Sequence, residues 1–295
     1  MPDICLWNKC NNKCIMCTNP REFSFSDPYG NYDLKTQIFK WSAFIKGKKN
    51  IYENNLDKTY INITGGEPTL HPDFFAFLWF LRKETPHTEI TLLTNGRKFS
   101  DRDFTVKFCK IAKQPFSVAI ALHSNNKREF EKITGIKGSF DETIKGISNL
   151  FEFFKGEIEL RLVLHRLNIN SVGNIIKFIK DKFKVYKNWH LTFIHYEIEG
   201  IAFRNNRRIS LRLADSARII DKNYDLLSDI KFRLYHFPLC IIEPYLRKYS
   251  MITLPTEERI YTKKCRRCRL REKCVGLMKD YYEIYGDKEL KTIKK

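Results

Sequence analysis

Three cysteines near the start of the chain, Cys10, Cys14 and Cys17, stand in a C-x3-C-x2-C spacing directly after a β-like run. Three thiolates leave a [4Fe–4S] cube one ligand short. An open iron can chelate a small molecule through an amine and a carboxylate. A zinc site ordinarily adds a fourth Cys or His close by, and this segment has none. Three buried cysteines on one helical face would also fit offsets of 4 and 7. However, the intervening Asn11, Asn12 and Lys13 favour turns and exposure. A second set, Cys265, Cys268 and Cys274, has C-x2-C-x5-C spacing, and Cys240 precedes it. Four thiolates saturate either one [4Fe–4S] cluster or one structural zinc. Of the nine cysteines only Cys5 and Cys109 stand apart from these groups.

The elements that must position the first set follow from the hydrophobic pattern. Strands are expected at 4–7, 60–64, 89–94, 117–122, 157–165 and 189–197, rich in Ile, Val, Leu, Phe and Thr. Helices are expected at 73–84, 101–113, 139–154, 171–183 and 211–227, the first four opened by Asp73, Ser100, Ser139 and Ser171 as caps. Strands alternating with helices make βαβ units and a parallel sheet, either an open doubly wound sheet or a barrel. In both, ligands bind at the strand C-termini. After about Ser228 the alternation stops, which divides the chain into a core, 1–227, and a small cysteine-rich module, 228–295.

The segment Cys10 to Cys17, with Thr64, Gly65, Gly66, Glu67 and Pro68 after the second strand, resembles the signature pair of the radical S-adenosylmethionine (SAM) superfamily. The resemblance implies an α/β fold with a partial (β/α)6 TIM-like barrel, and a [4Fe–4S] cluster on Cys10, Cys14 and Cys17 that binds SAM. It implies that Gly65, Gly66, Glu67 and Pro68 meet the methionine amine. Glycine lets the backbone approach a ligand, and the Glu67 carboxylate can accept from an ammonium. By the same resemblance Asn95, in Leu93-Thr94-Asn95-Gly96, lies near SAM, and Arg161 pairs with its carboxylate, with Asn168 closing that strand's loop. Met16 replaces the family's usual aromatic residue, and its thioether can pack on adenine. Ala121-Leu122-His123 stands where a Ser-x-Asp is frequent. Cys240, Cys265, Cys268 and Cys274 resemble SPASM or twitch extensions of peptide maturases, which hold auxiliary iron–sulfur clusters. Four cysteines suit a single twitch-like [4Fe–4S] cluster, with zinc the alternative. Tyr196 to Ala202 and Pro238-Leu239-Cys240 are similar to maturases of His-Xaa-Ser peptide systems.

The expected activity is reductive cleavage of SAM to a 5′-deoxyadenosyl radical that abstracts hydrogen from a peptide or protein side chain. RNA or a small metabolite is the alternative substrate, and a zinc-stabilised nucleic-acid-binding protein is the non-enzymatic alternative. His123, His195 and Glu197, near strand ends, are candidates to meet substrate. An electron donor such as a flavodoxin or ferredoxin is a further expected partner. The net charge of +19 favours anionic partners. Seven basic residues, Lys263, Lys264, Arg266, Arg267, Arg269, Arg271 and Lys273, crowd the second cysteine set, as a solvated loop or as a docking patch for an acidic leader peptide or RNA. The longest apolar run, Phe74 to Leu81, is far below the ~20 residues of a spanning helix. The start lacks a signal-peptide pattern. Both, with clustered thiols outside a disulfide framework, point to the cytoplasm and away from a membrane.

Overall fold

A computed structural model describes residues 2–24, 31–48, 51–54 and 60–294. Its main sheet follows the order β2-β1-β3-β4-β5-β6-β7-β8-β9, with β1 Pro2–Trp7, β2 Glu53–Asn54, β3 Tyr60–Gly65, β4 Glu89–Thr94, β5 Phe116–Ala121, β6 Glu157–Leu164, β7 Trp189–His195, β8 Phe232–Tyr235 and β9 Ser250–Met251. The short β2 pairs antiparallel with β1; β1, β3, β4 and β5, and separately β7, β8 and β9, pair parallel. The order has two ends, so the sheet is not closed. This is the α/β, partial TIM-like class expected. All six expected strands are present, and the parallel pairing continues past position 228 through β8 and β9.

Two compact units divide the chain: 1–13, 19–121 and 134–159, and 14–18, 122–133 and 160–295. The first carries helices α1 Leu34–Ile45, α2 Phe74–Glu84 and α3 Arg102–Ile111. It is packed around aromatic rings: Phe74 stacks on Phe108 with centroids 6.3 Å apart, and Phe99 meets Phe108 edge-on at 4.9 Å. Such pairs add to the burial of their large apolar surfaces. Helix α4 Lys127–Thr134 leads to α5 Ser139–Phe153. The second unit carries α6 Val172–Phe183 and α7 Gly200–Arg204, then shorter helices and a two-stranded antiparallel ribbon, β10 Arg259–Ile260 with β11 Leu277–Met278. None of the described helices is long and apolar enough to cross a membrane.

The expected caps shift by a residue where stronger chemistry stands next door. Asp101, not Ser100, caps α3, accepting from the backbone N–H of Asp103 and Phe104. Gly138, in the left-handed region at φ 81°, is the N-cap of α5, and Ser139 is its first helical residue. Asp73 and Ser171 occupy their cap positions without a side-chain cap bond.

Candidate active site

In the first unit the site is built where the ends of β1, β3 and β4 meet. The Gly66 N–H donates to the Trp7 carbonyl at 2.6 Å and the Glu67 N–H to the Lys9 carbonyl at 2.7 Å. These bonds fasten the β3 loop to the residues just before Cys10. A Cβ on Gly66 would lie 2.4 Å from the Lys9 carbonyl oxygen, and one on Gly65 would lie 2.3 Å from that of Trp7. The glycine pair is therefore demanded by chain-to-chain approach, in addition to any ligand.

Glu67 is 1% exposed. Its Oε1 accepts from the Thr69 N–H (3.2 Å), the Thr69 hydroxyl (2.6 Å) and the Thr94 hydroxyl (2.7 Å), and its Oε2 accepts from the Asn95 N–H (2.7 Å). Burial pushes its pKa up, and the donors from Asn95, Thr69 and Thr94 pull it back. Three of these donors crowd Oε1 and one meets Oε2, so of the carboxylate's roughly four acceptor sites one on Oε2 remains. These bonds make the carboxylate a lock between the ends of β3 and β4. Pro68 follows as the buried first residue of a 3-10 turn.

Asn95 joins this lock to the cysteine segment. Its amide nitrogen donates to Asn11 Oδ1 at 2.7 Å and lies 3.9 Å from Cys10 Sγ, which also accepts from the Asn12 N–H at 3.4 Å. Cys10 is exposed. Arg97, two residues on, was not singled out from the sequence. Its guanidinium donates to the Asn11 carbonyl (2.5 Å), Asn12 Oδ1 (2.9 Å) and Glu142 Oε2 (2.6 Å). The one sequence signal was its position directly behind Asn95-Gly96.

The second unit holds Cys14, Met16 and Cys17. The Cys17 carbonyl accepts from the Ala202 N–H at the start of α7 (2.9 Å), and the Ile15 carbonyl accepts from the Asn205 amide (3.0 Å). Met16 is buried. At the ends of β6, β7 and β8, Arg161 lies over the Tyr235 ring with 5.9 Å to its centroid, and Glu197 Oε1 is 3.4 Å from His236 Nε2. His236 adopts φ 71°, the left-handed region that costs a non-glycine residue energy. This turns its Nδ1 to the His195 carbonyl at 3.0 Å. Burial and the nearby Asp280 and Glu199 carboxylates push the Glu197 carboxyl up to about 8, opposed by Arg161. Burial takes His236 down to about 4. Neither residue's partner was visible in sequence, because a left-handed histidine has no compositional signal.

His123 and His195 are both buried. His123 is buried and stacks on Phe130 at 6.2 Å, and the Asn168 amide donates to its carbonyl. Asn168 also donates to the Val163 carbonyl and so closes the loop after β6. His195 is fully buried, with Nδ1 2.8 Å from the Ser216 hydroxyl and the Tyr196 and Tyr281 rings around it. Burial lowers both imidazoles to about 3, so both stay neutral.

Farther along the second unit, Cys240, Cys265, Cys268 and Cys274 line one recess, with Arg271 and Lys291 among its walls. Cys274 Sγ accepts from the Leu239 N–H at 3.3 Å and Cys240 Sγ from the Lys291 N–H at 3.5 Å. Burial, and then the other three thiols, push the Cys240 thiol up. Such a crowd of thiols becomes thiolate only with a cation among them. The donor set, four sulfurs with backbone N–H groups directed at two of them, fits an iron–sulfur cluster or one structural zinc.

Residues 4–179 match the model of the radical SAM superfamily. The chain belongs to the radical SAM superfamily. It is accordingly an enzyme, and the non-enzymatic nucleic-acid-binding reading is overturned. The superfamily implies a [4Fe–4S] cluster and SAM. The chain is 26% identical over 178 residues to a probable GTP 3′,8-cyclase of Saccharolobus islandicus (strain Y.N.15.51 / Yellowstone #2), covering 60% of this chain and 52% of that one. It is 26% identical over 194 residues to the GTP 3′,8-cyclase of Petrotoga mobilis, covering 65% and 54%. It thus spans about half the length of these curated relatives. In fold it is similar to Streptococcus suis SuiB bound to precursor peptide SuiA, with TM-score 0.57, 16% identity, and coverage of 78% of this chain and 47% of SuiB. A second likeness is to HydG, a maturase of the [FeFe]-hydrogenase, with TM-score 0.54, 10% identity, and coverage of 83% and 52%.

Proposed function

We propose that this chain is a peptide- or protein-modifying radical SAM enzyme with an auxiliary [4Fe–4S] cluster in residues 228–295. The carrying observation is the four-thiol recess, which lies outside the residues matched by the superfamily model. Four thiolates saturate one [4Fe–4S] cluster, and one structural zinc is the alternative that iron analysis separates. A likeness in fold to SuiB, whose structure holds a precursor peptide, supports a peptide substrate.

On this reading Cys10, Cys14 and Cys17 hold the SAM-binding cluster. That cluster and SAM, when bound, supply a 5′-deoxyadenosyl radical for hydrogen abstraction. The chain's own residues do the placing. The backbone at Gly65, Gly66 and Pro68 and the side chain of Asn95 border the Cys10 side of the site, and Glu67 keeps them in register. Arg161 takes the SAM carboxylate, a pairing suited to a planar guanidinium, and Met16 packs near adenine. The curated relatives named as GTP 3′,8-cyclases favour a second reading, a nucleotide-sized substrate.

Reconstituted protein should bind about eight irons, and the Cys10/Cys14/Cys17→Ala variant about four, one cube per cysteine set. Reduced by dithionite, wild type should convert SAM to 5′-deoxyadenosine, and Cys14→Ser should not. Four irons in wild type would remove the auxiliary cluster. Conversion of added GTP to a cyclised product would establish the second reading.

A further inference from the structure

The ribbon that carries the second cysteine set is the most cationic stretch of the chain, and the proposed function gives it no role. Lys263, Arg266, Arg267, Arg269, Arg271 and Lys273 are exposed, and Glu272 is the one acid among them. Lys264 differs: its Nζ donates to the Asp287 carbonyl at 2.6 Å, pinning the ribbon from behind. The exposed cations alternate with Cys265 and Cys268, which line the recess, and Arg271 lines it too. A partner held by this stretch is therefore held by the same residues that supply Cys265, Cys268 and Arg271 to the recess.

We propose that residues 263–273 form the docking face for an acidic one-electron carrier protein, seated over the four-thiol recess. The proposal rests on the reading of that recess as an iron–sulfur site. One electron would pass from the carrier's reduced flavin to the centre the thiols hold; the flavin is oxidised by one electron as the centre is reduced, and no bond changes. Charge complementarity of this kind steers encounter and raises association rates by about 10–10³-fold, with steep salt dependence. The chemistry favours a protein carrier over RNA. Single-stranded RNA needs aromatic faces on which bases stack, and the aromatic residue here, Tyr261, is covered by Arg271 at 5.6 Å and spends its hydroxyl on the Cys274 carbonyl at 2.7 Å.

The test uses a bacterial flavodoxin as the acidic probe with the reconstituted protein. Binding is measured by calorimetry, and cluster reduction by stopped-flow, at low and high salt. The Arg266/Arg267/Arg269→Gln variant should lose about tenfold or more in flavodoxin affinity and reduction rate at low salt. Its reduction by dithionite should be unchanged. Lys177/Lys182/Lys184→Gln, which removes the same charge from α6 and its end, should behave as wild type. If the Gln variant loses iron, the Arg→Lys triple replaces it, and a wild-type salt slope there supports docking by charge. Equal losses in the ribbon and α6 variants, or none in the ribbon variant, overturn the proposal. So does ribbon-dependent binding of a uridine 12-mer or a polyglutamate peptide where flavodoxin fails to bind. Failure of wild type to form 5′-deoxyadenosine with dithionite counts against the proposed activity alone and leaves the docking result standing.

Discussion

Replacing Glu67 by Gln separates a lock from a ligand. Gln keeps one acceptor oxygen, which can serve the Thr69 and Thr94 donors now on Oε1. Its amide nitrogen must then face the Asn95 N–H, which sits 2.7 Å from Oε2. Donor opposes donor in a position that is 1% exposed. Loss of a hydrogen bond to a charged acceptor costs about 1.5–3 kcal/mol, and relief of the buried charge returns part of it, for a net near 2 kcal/mol. At ~2–4 °C per kcal/mol for a chain of this size, the melting midpoint of the iron-free protein should fall by about 4–8 °C. SAM affinity of the reconstituted variant should fall only as far as Asn95 and the Cys10 segment are displaced. Thermal melts followed by circular dichroism, beside anaerobic SAM binding, distinguish the roles. An unchanged melt with a large loss of SAM affinity would mean that the carboxylate meets the ligand, and the lock reading would be wrong.

Gly66→Ala should be worse than its size suggests, because its Cβ meets the Lys9 carbonyl oxygen at 2.4 Å; backbone cannot yield as a side chain does, and overpacking costs about 1–3 kcal/mol. Reconstituted Gly66→Ala should hold clearly less iron than wild type, and full occupancy would show that the segment around Cys10 moves freely. Arg97→Ala removes the grip on Asn11 and Asn12, about 1.5–3 kcal/mol, so a chelator should strip iron about tenfold faster, while wild-type stripping kinetics would put the grip elsewhere. For Glu197 the folded carboxyl titrates near 8 against 4.5 in the reference state. The folded protein therefore holds the extra proton, and wild-type stability is lost as pH rises through that window. Glu197→Gln should match wild type near pH 4.5 and exceed it above pH 8, by about 2 kcal/mol after allowance for a side chain that is 28% exposed. Urea unfolding curves that stay parallel across pH would contradict the protonated carboxyl.

The strands that were legible are those whose β-branched runs are bounded by turn residues, Tyr60–Gly65 and Glu89–Thr94 among them. Helix α1 escaped because a polar residue sits on its buried face. Gln37 is fully buried and donates to the Cys5 and Leu6 carbonyls at 3.2 and 3.3 Å, which breaks the apolar period while satisfying the backbone. Helix α4 is too polar, and β8 and β9 too short, to show a period; Arg233 interrupts β8. At the site, spacing exposed both cysteine sets and the Gly65-Gly66-Glu67 segment. It was silent on Arg97, whose partners Asn11 and Asn12 lie about 85 positions away. It also favoured His195, whose position at a strand end says nothing of the Tyr281 and Phe237 rings that enclose it.

The segment leading through Cys10 is fastened by atoms that leave the ribosome long after it does. Trp7 waits for Gly66, Lys9 for Glu67, Asn11 for Asn95 and Arg97, and the Lys13 N–H for the Thr134 carbonyl at 2.8 Å. Until nearly half the chain has been synthesised, that stretch has no fixed geometry to offer iron. On the proposed reading of Cys10 as a cluster ligand, metal loading at this segment waits for that folding. A chain truncated before Thr134 should emerge with Cys10 as an ordinary, oxidisable thiol.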